Sequence, residues 1–146
     1  MVGGGSFPFE TELFLSESSG ASWRAATQDP PTIFALAADP DVRHRLLAGA
    51  FEGLFVSEDG GRRWRPFGSG LPEGAAIHQL LRHPRFDTWY AATLDRGIFR
   101  SLDGGASWTR LEGAPDHHAP RIAIDPRRPE ALLAAFRGQS LWRWAP

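Results

Sequence analysis

Apolar residues along this chain come in short runs, each closed by a polar turn that carries Pro, Gly, Asp or Ser. Ile33 to Ala37, Ile77 to Leu81 and Ile122 to Ile124 are three such runs, and each is followed by a dipeptide: Asp39-Pro40, His83-Pro84 and Asp125-Pro126. Proline cannot donate to a strand ladder, so these runs predict strands that end at the dipeptides. Second strands follow at Leu46 to Ala50, Trp89 to Thr93 and Leu132 to Phe136. Gly53, Gly97 and Gly138 then mark tight returns into third strands at Leu54 to Val56, Ile98 to Arg100 and Leu141 to Arg143. Fourth strands begin at Trp64-Arg65-Pro66 and Trp108-Thr109-Arg110. The four places in each quartet are called A, B, C and D, with A expected innermost.

Between places C and D the chain writes one phrase three times: Ser16-x-Ser18-x-Gly20-x-x-Trp23, Ser57-x-Asp59-x-Gly61-x-x-Trp64 and Ser101-x-Asp103-x-Gly105-x-x-Trp108. The tryptophans are spaced 41 and 44 residues apart (64 − 23 and 108 − 64), a period that suits a repeated four-stranded unit. A side chain at the third position can accept backbone N–H bonds across the turn, Gly at the fifth tolerates a positive φ, and Trp at the eighth anchors the next strand. Ser18 replaces the carboxylate in the first copy, so that turn is expected to be held more weakly.

Four antiparallel strands per repeat predict an all-β chain of β-propeller blades, two complete and two partial. The expected units are a partial blade over 1–32, blades over 33–76 and 77–120, and a partial blade over 121–146. The first unit supplies places C and D from Thr11 to Ala25, with Met1 to Phe9 as a degraded place B. The last unit supplies A, B and C. A propeller ring needs four or more blades, so this set is an open arc with exposed end faces. Closure by a second copy into one six- or seven-bladed ring is the expectation, with an N-terminal strand of one copy completing the last blade of the other. A piece cut from a longer propeller is the competing reading.

The phrase, with its preceding Asp-Pro and the run Gly-Leu-Phe-x-Ser-x-Asp-Gly-Gly-x-x-Trp, resembles the Asp-box, or BNR-type, repeat. That repeat occurs in sialidases, sortilin-type receptors, xyloglucan-cleaving glycoside hydrolases and a photosystem II assembly factor, all of them propellers. The resemblance extends from Leu13 to Trp144. It implies a structural role, on the outer part of each blade, for Ser57, Asp59, Gly61, Trp64, Ser101, Asp103, Gly105 and Trp108, and for Ser16, Ser18, Gly20 and Trp23 in the first copy.

Composition narrows the chemistry. With 16 basic and 17 acidic residues the formal net charge is −1, which gives no basic footprint for nucleic acid. Every basic residue is Arg, so lysine nucleophiles and Schiff bases are absent, and the lack of Cys removes thiolate chemistry. No run approaches the roughly 20 apolar residues that span a bilayer, and the first residues carry no export signal, so a soluble chain without membrane insertion is expected.

Loops joining D to A and B to C share one end of the blades, where a propeller usually binds its ligand. They offer Gln28 to Thr32, Gly68 to Ala76 and Glu112 to Pro120, together with Glu52, Asp95, Arg96 and Arg137. The candidate binding residues are His78, Asp95, Arg96, Asp116, His117, His118 and Arg121. Asp116, His117 and His118 are also a conceivable metal set, but adjacent side chains in an extended segment diverge, so no metal and no cofactor are expected. His44 and His83 read as surface turn residues. Tyr90 lies mid-strand and reads as packing rather than as a sialidase nucleophile. Asp95 and Asp116 could form a carboxylate pair of the glycosidase kind. The reading these residues favour is a non-catalytic binding or assembly module for a protein or glycan partner. A half-ring of an Asp-box glycoside hydrolase is the alternative.

Overall fold

The computed structural model describes residues 13–26, 31–114, 121–125, 127–129, 131–136 and 141–144, and all of its regular structure is β. Strands β1 (Phe14–Leu15) and β2 (Arg24–Ala25) form a two-stranded sheet. Strands β3 (Ile33–Ala38), β4 (Leu46–Ala50), β5 (Gly53–Ser57) and β6 (Arg65–Pro66) form a four-stranded one in sequence order. The pattern repeats in β7 (Ile77–Arg82), β8 (Trp89–Thr93), β9 (Ile98–Ser101) and β10 (Thr109–Arg110). A three-stranded sheet of β11 (Arg121–Ile124), β12 (Leu132–Ala135) and β13 (Leu141–Trp144) completes the described chain. Every pairing between these strands is antiparallel. The sheets are propeller blades, and they do not close into a ring.

Equivalent residues follow from the registers. Leu46 faces Ser57 across β4 and β5, Trp89 faces Ser101 across β8 and β9, and Leu132 faces Trp144 across β12 and β13. Trp144 therefore stands where the other sheets carry the phrase's first serine. Both long β3–β4 and β7–β8 ladders slip by one residue near their start, and Phe34 and His78 are the matching bulge residues.

No sheet has a core of its own. One apolar cluster lies between the first and second complete sheets and gathers Leu47, Leu54 and Val56 with Ile77, Trp89, Ala91, Phe99 and Trp108. The other lies between the second complete sheet and the last, and gathers Tyr90, Ala92, Ile98 and Leu111 with Ile122, Leu132, Ala134 and Phe136. A B strand is therefore covered on both faces, which is why Leu46–Ala50 and Trp89–Thr93 read as continuous apolar runs rather than alternating ones. Small residues let the sheets approach. A Cβ at Gly49 would stand 2.5 Å from Ile77 Cγ2 and 2.7 Å from the Ile77 carbonyl oxygen.

Polar contacts fasten the same seams. Arg45 donates to the Gly104 carbonyl at 2.9 Å while its other Nη pairs with Asp39 at 3.1 Å, and both side chains are largely buried. The Gln79 amide takes both backbone groups of Ile122 on the next sheet, at 2.8 Å each. Residues at the start of the second D–A connection form a strap: Ser69 N–H donates to Ala106 O, and Ser69 O accepts from Trp108 N–H, both at 2.9 Å. That connection therefore begins along the neighbouring sheet's turn and not wholly among the ligand-end loops.

His83 departs from the surface reading. It is buried, and its Nδ1 accepts from the N–H groups of Arg85 and Phe86 at 3.0 and 3.1 Å. Asp39 and Asp125 do the same work with a carboxylate oxygen, accepting from Asp41 and Arg127. The imidazole adds what a carboxylate lacks: Nε2, which then carries the proton, lies 2.6 Å from the Pro129 carbonyl on the next sheet. His44, by contrast, is exposed, in a left-handed conformation at φ 65°.

Two substitutions test this packing. Gly49→Ala is expected to cost about 1–3 kcal/mol in urea unfolding, because the added methyl meets backbone. His83→Ala, which removes the acceptor of two turn N–H groups and the donor to a carbonyl, should cost about 2 kcal/mol, and His83→Asn, which keeps the turn acceptor, about half of that.

Candidate functional site

The phrase turns are fastened by their own hydrogen bonds. In the second copy Ser57 Oγ, buried, accepts from Gly61 N–H at 2.8 Å and donates to Asp59 Oδ1 at 2.9 Å, and that oxygen accepts from the N–H groups of Arg62 and Arg63. Ser101 and Asp103 repeat the arrangement around Gly105 and Ser107. Gly61 and Gly105 both sit at φ 89°, where a side chain would be strained. In the first copy Ser18 Oγ accepts only the Ser22 N–H among backbone donors, at 2.9 Å. The indoles differ in burial. Trp108 is covered, Trp64 half-covered and Trp23 exposed, and Trp108 and Trp23 donate to Gly105 O and Gly20 O.

The two carboxylates are held below the usual Asp range. For Asp59 the main cause is the Arg63 N–H, and for Asp103 the Ser107 hydroxyl followed by its N–H. Such a group stabilises the fold above its unfolded value of 3.8 and loses that contribution as pH falls through the lower folded value. The urea midpoint should therefore hold down to about pH 4 and fall below it. Asp59→Asn with Asp103→Asn should flatten that acid limb; an unchanged limb would show that these turns do not govern it.

Antiparallel pairing puts the B–C turns and the starts of the A strands at the opposite end of the sheets from the phrase turns. Phe51 N–H donates to Thr32 O and Leu94 N–H to Ala76 O, so each B–C turn is tied to the entry of its own A strand. Thr93 Oγ1 donates to Gly97 O at 2.8 Å and accepts from Arg96 N–H at 3.0 Å, which fixes the second of these turns. Asp95 and Arg96 lie there exposed, 3.5 Å apart as a loose ion pair, and Arg96 O accepts from Arg110 Nε. His78 is half-buried in the β7 bulge, and Arg121 is exposed at the start of β11, opposite Ala135. Asp116, His117, His118 and Arg137 lie outside the described residues, and with them the second member of the Asp95 and Asp116 pair.

Two residues at this end escaped the sequence reading, which looked for charge. Phe51 and Leu94 are exposed at the same position of successive B–C turns, and Phe34 is exposed at the bulge beside the first. The signal was present as an apolar residue directly after each of the first two B strands. Tyr90 is buried in the second seam, and burial pushes its phenol above 10.0, against a smaller opposing effect of Arg100. Its place is in the packing of that seam. Among the described residues no group of three or more His, Asp or Glu is gathered as for a metal. A concavity of about 400 Å³ lies instead beside the second phrase turn, lined by Val56, Glu58, Asp59, Arg63, Trp64 and Arg65.

The architecture and this loop end define an open β-propeller arc. No protein-family model and no curated protein match the chain. Solved structures do. A GH74 enzyme of Niastella koreensis superposes with a TM-score of 0.68 at 20% identity, over 86% of this chain and 22% of that one. YCF48 bound to a D1 peptide gives 0.65 at 16% identity, over 94% and 44%. The GH74 xyloglucanase of Xanthomonas campestris gives 0.61 at 22% identity, over 90% and 20%. The chain spans less than half the length of each, and at these identities the likeness is one of fold.

Proposed function

We propose that this chain is a non-catalytic propeller module of the Asp-box type, which engages a protein or glycan partner through its B–C and D–A loops. Two copies make one ring of six or seven blades from units at 1–32, 33–76, 77–120 and 121–146. The observation that carries the reading is the exposed set of Phe34, Phe51 and Leu94 at the loop end, beside Glu52, Asp95 and Arg96. Apolar side chains held out to solvent at repeated positions, rimmed by charge, are what a recognition surface needs. His78 and Arg121 border it, and Asp116, His117 and His118 belong to the next connection along. YCF48, similar in fold, is seen with a bound peptide, which supports a protein ligand.

The second reading, a half-ring of an Asp-box glycoside hydrolase, is favoured by the likeness to GH74 enzymes. One experiment separates the two. Peptides selected by phage display on the wild-type protein, together with xyloglucan oligosaccharides, are titrated against wild type and Phe51→Ser/Leu94→Ser. Loss of about tenfold or more in affinity for either probe supports the module. Release of reducing sugar by wild type, abolished in Asp95→Ala, overturns it in favour of the hydrolase, and binding that ignores both substitutions moves the site off this surface.

A further inference from the structure

Among the described residues both apolar clusters join the same two faces. The face of one sheet that carries Leu47 and Leu54 meets the face of the next that carries Trp89, Ala91 and Phe99. One sheet further on, Tyr90 and Ile98 take the places of Leu47 and Leu54, and Leu132, Ala134 and Trp142 take those of Trp89, Ala91 and Phe99. The outgoing face of a sheet thus fits the incoming face of its successor twice over.

At the two ends of the row these faces are left over. On the last sheet Leu141 occupies the outgoing position held elsewhere by Leu54 and Ile98; it is 65% exposed, where they are 4% and 0%. Ala123 and Ala135 on the same face are exposed too. On the first sheet Phe14 occupies the incoming position of Phe99, and Trp23 that of Trp108. They are 48% and 64% exposed against 3% and 4%. The positions that are buried at each interior seam are the ones uncovered at the ends.

We infer that the two end faces are each other's partner across two copies of this chain. The Leu141 face of one copy seats on the Phe14 and Trp23 face of the other, head to tail, and the two-fold repeat of that contact closes the ring. This rests on the paired-ring reading above and alters its count: with the end sheets kept as separate blades, two copies of four sheets each make a ring of eight, in place of the six or seven that a shared blade would give. The occupant is a second copy because the surface that fits an outgoing face is, throughout this chain, an incoming face of the same repeat. The contact is made by faces. Strands β1 and β2 already pair with each other, through Phe14 with Ala25 and Leu15 with Arg24, so lending β2 to the partner's last sheet would mean opening that hairpin.

The test uses Phe14→Arg and Leu141→Arg, two exposed positions whose replacement leaves the interior seams alone, with folding checked by circular dichroism and cooperative unfolding. Light scattering should give wild type as a dimer at micromolar concentration and each variant as a monomer, its dissociation constant raised about tenfold or more. An equimolar mixture of the variants retains one junction of unaltered faces and should return to dimer mass. If wild type is dimeric and either variant dimerises equally well, or the mixture stays monomeric, the head-to-tail seating is wrong while a paired ring stands. If wild type is monomeric throughout, as when an unrelated domain covers one end, the paired ring falls and this inference with it.

Discussion

Everything in this molecule hangs on apolar contact between neighbouring sheets. A twisted sheet of four short strands is too thin to enclose a core, and here both apolar clusters lie in seams, drawing about equally on the two sheets that flank them. The rest follows from that. Central strands must be apolar on both faces, small residues such as Gly49 must admit the neighbour's backbone, and buried polar groups must find partners across the seam. Arg45 reaches Gly104, Gln79 reaches Ile122 and His83 reaches Pro129 for this reason.

Chemistry that looks functional in the sequence is therefore divided by location. The acidic phrase turns stand at one end, where Asp59 and Asp103 spend their oxygens on local N–H and O–H donors. Such carboxylates organise a turn, Asp59 through Oδ1 and Asp103 through both oxygens. The opposite end carries looser groups, Asp95 and Arg96, and the uncovered rings of Phe34 and Phe51. An apolar residue kept in water there costs the fold nothing it needs and is available to a ligand.

Strand order and the extent of most strands could be read from the residues, because turn chemistry punctuates the chain and each run is short. Ile77 to Leu81 became Ile77–Arg82, and Trp89 to Thr93 appears unaltered. The fourth strands are shorter than they read, two residues each, because Trp64 and Trp108 belong to the turn that precedes them. What pattern could not supply is contact between sheets. His83 looks like any turn residue until Pro129 of the next sheet is placed over its ring nitrogen, and Gln79 looks solvated until β11 is beside it. Three of the seven candidate binding residues lie outside the described segments, and charge drew attention from Phe51 and Leu94, whose meaning depends on facing water rather than a seam.

Gln79 has a wider implication. Its side-chain amide copies a peptide group, so at that seam the innermost edge of β11 is occupied by something that imitates a strand without being one. The equivalent place one sheet earlier is Ala35, which has no such group to offer. Adjacent sheets that share a shape are thereby made unequal: this seam carries a peptide-like contact that the one before it does without.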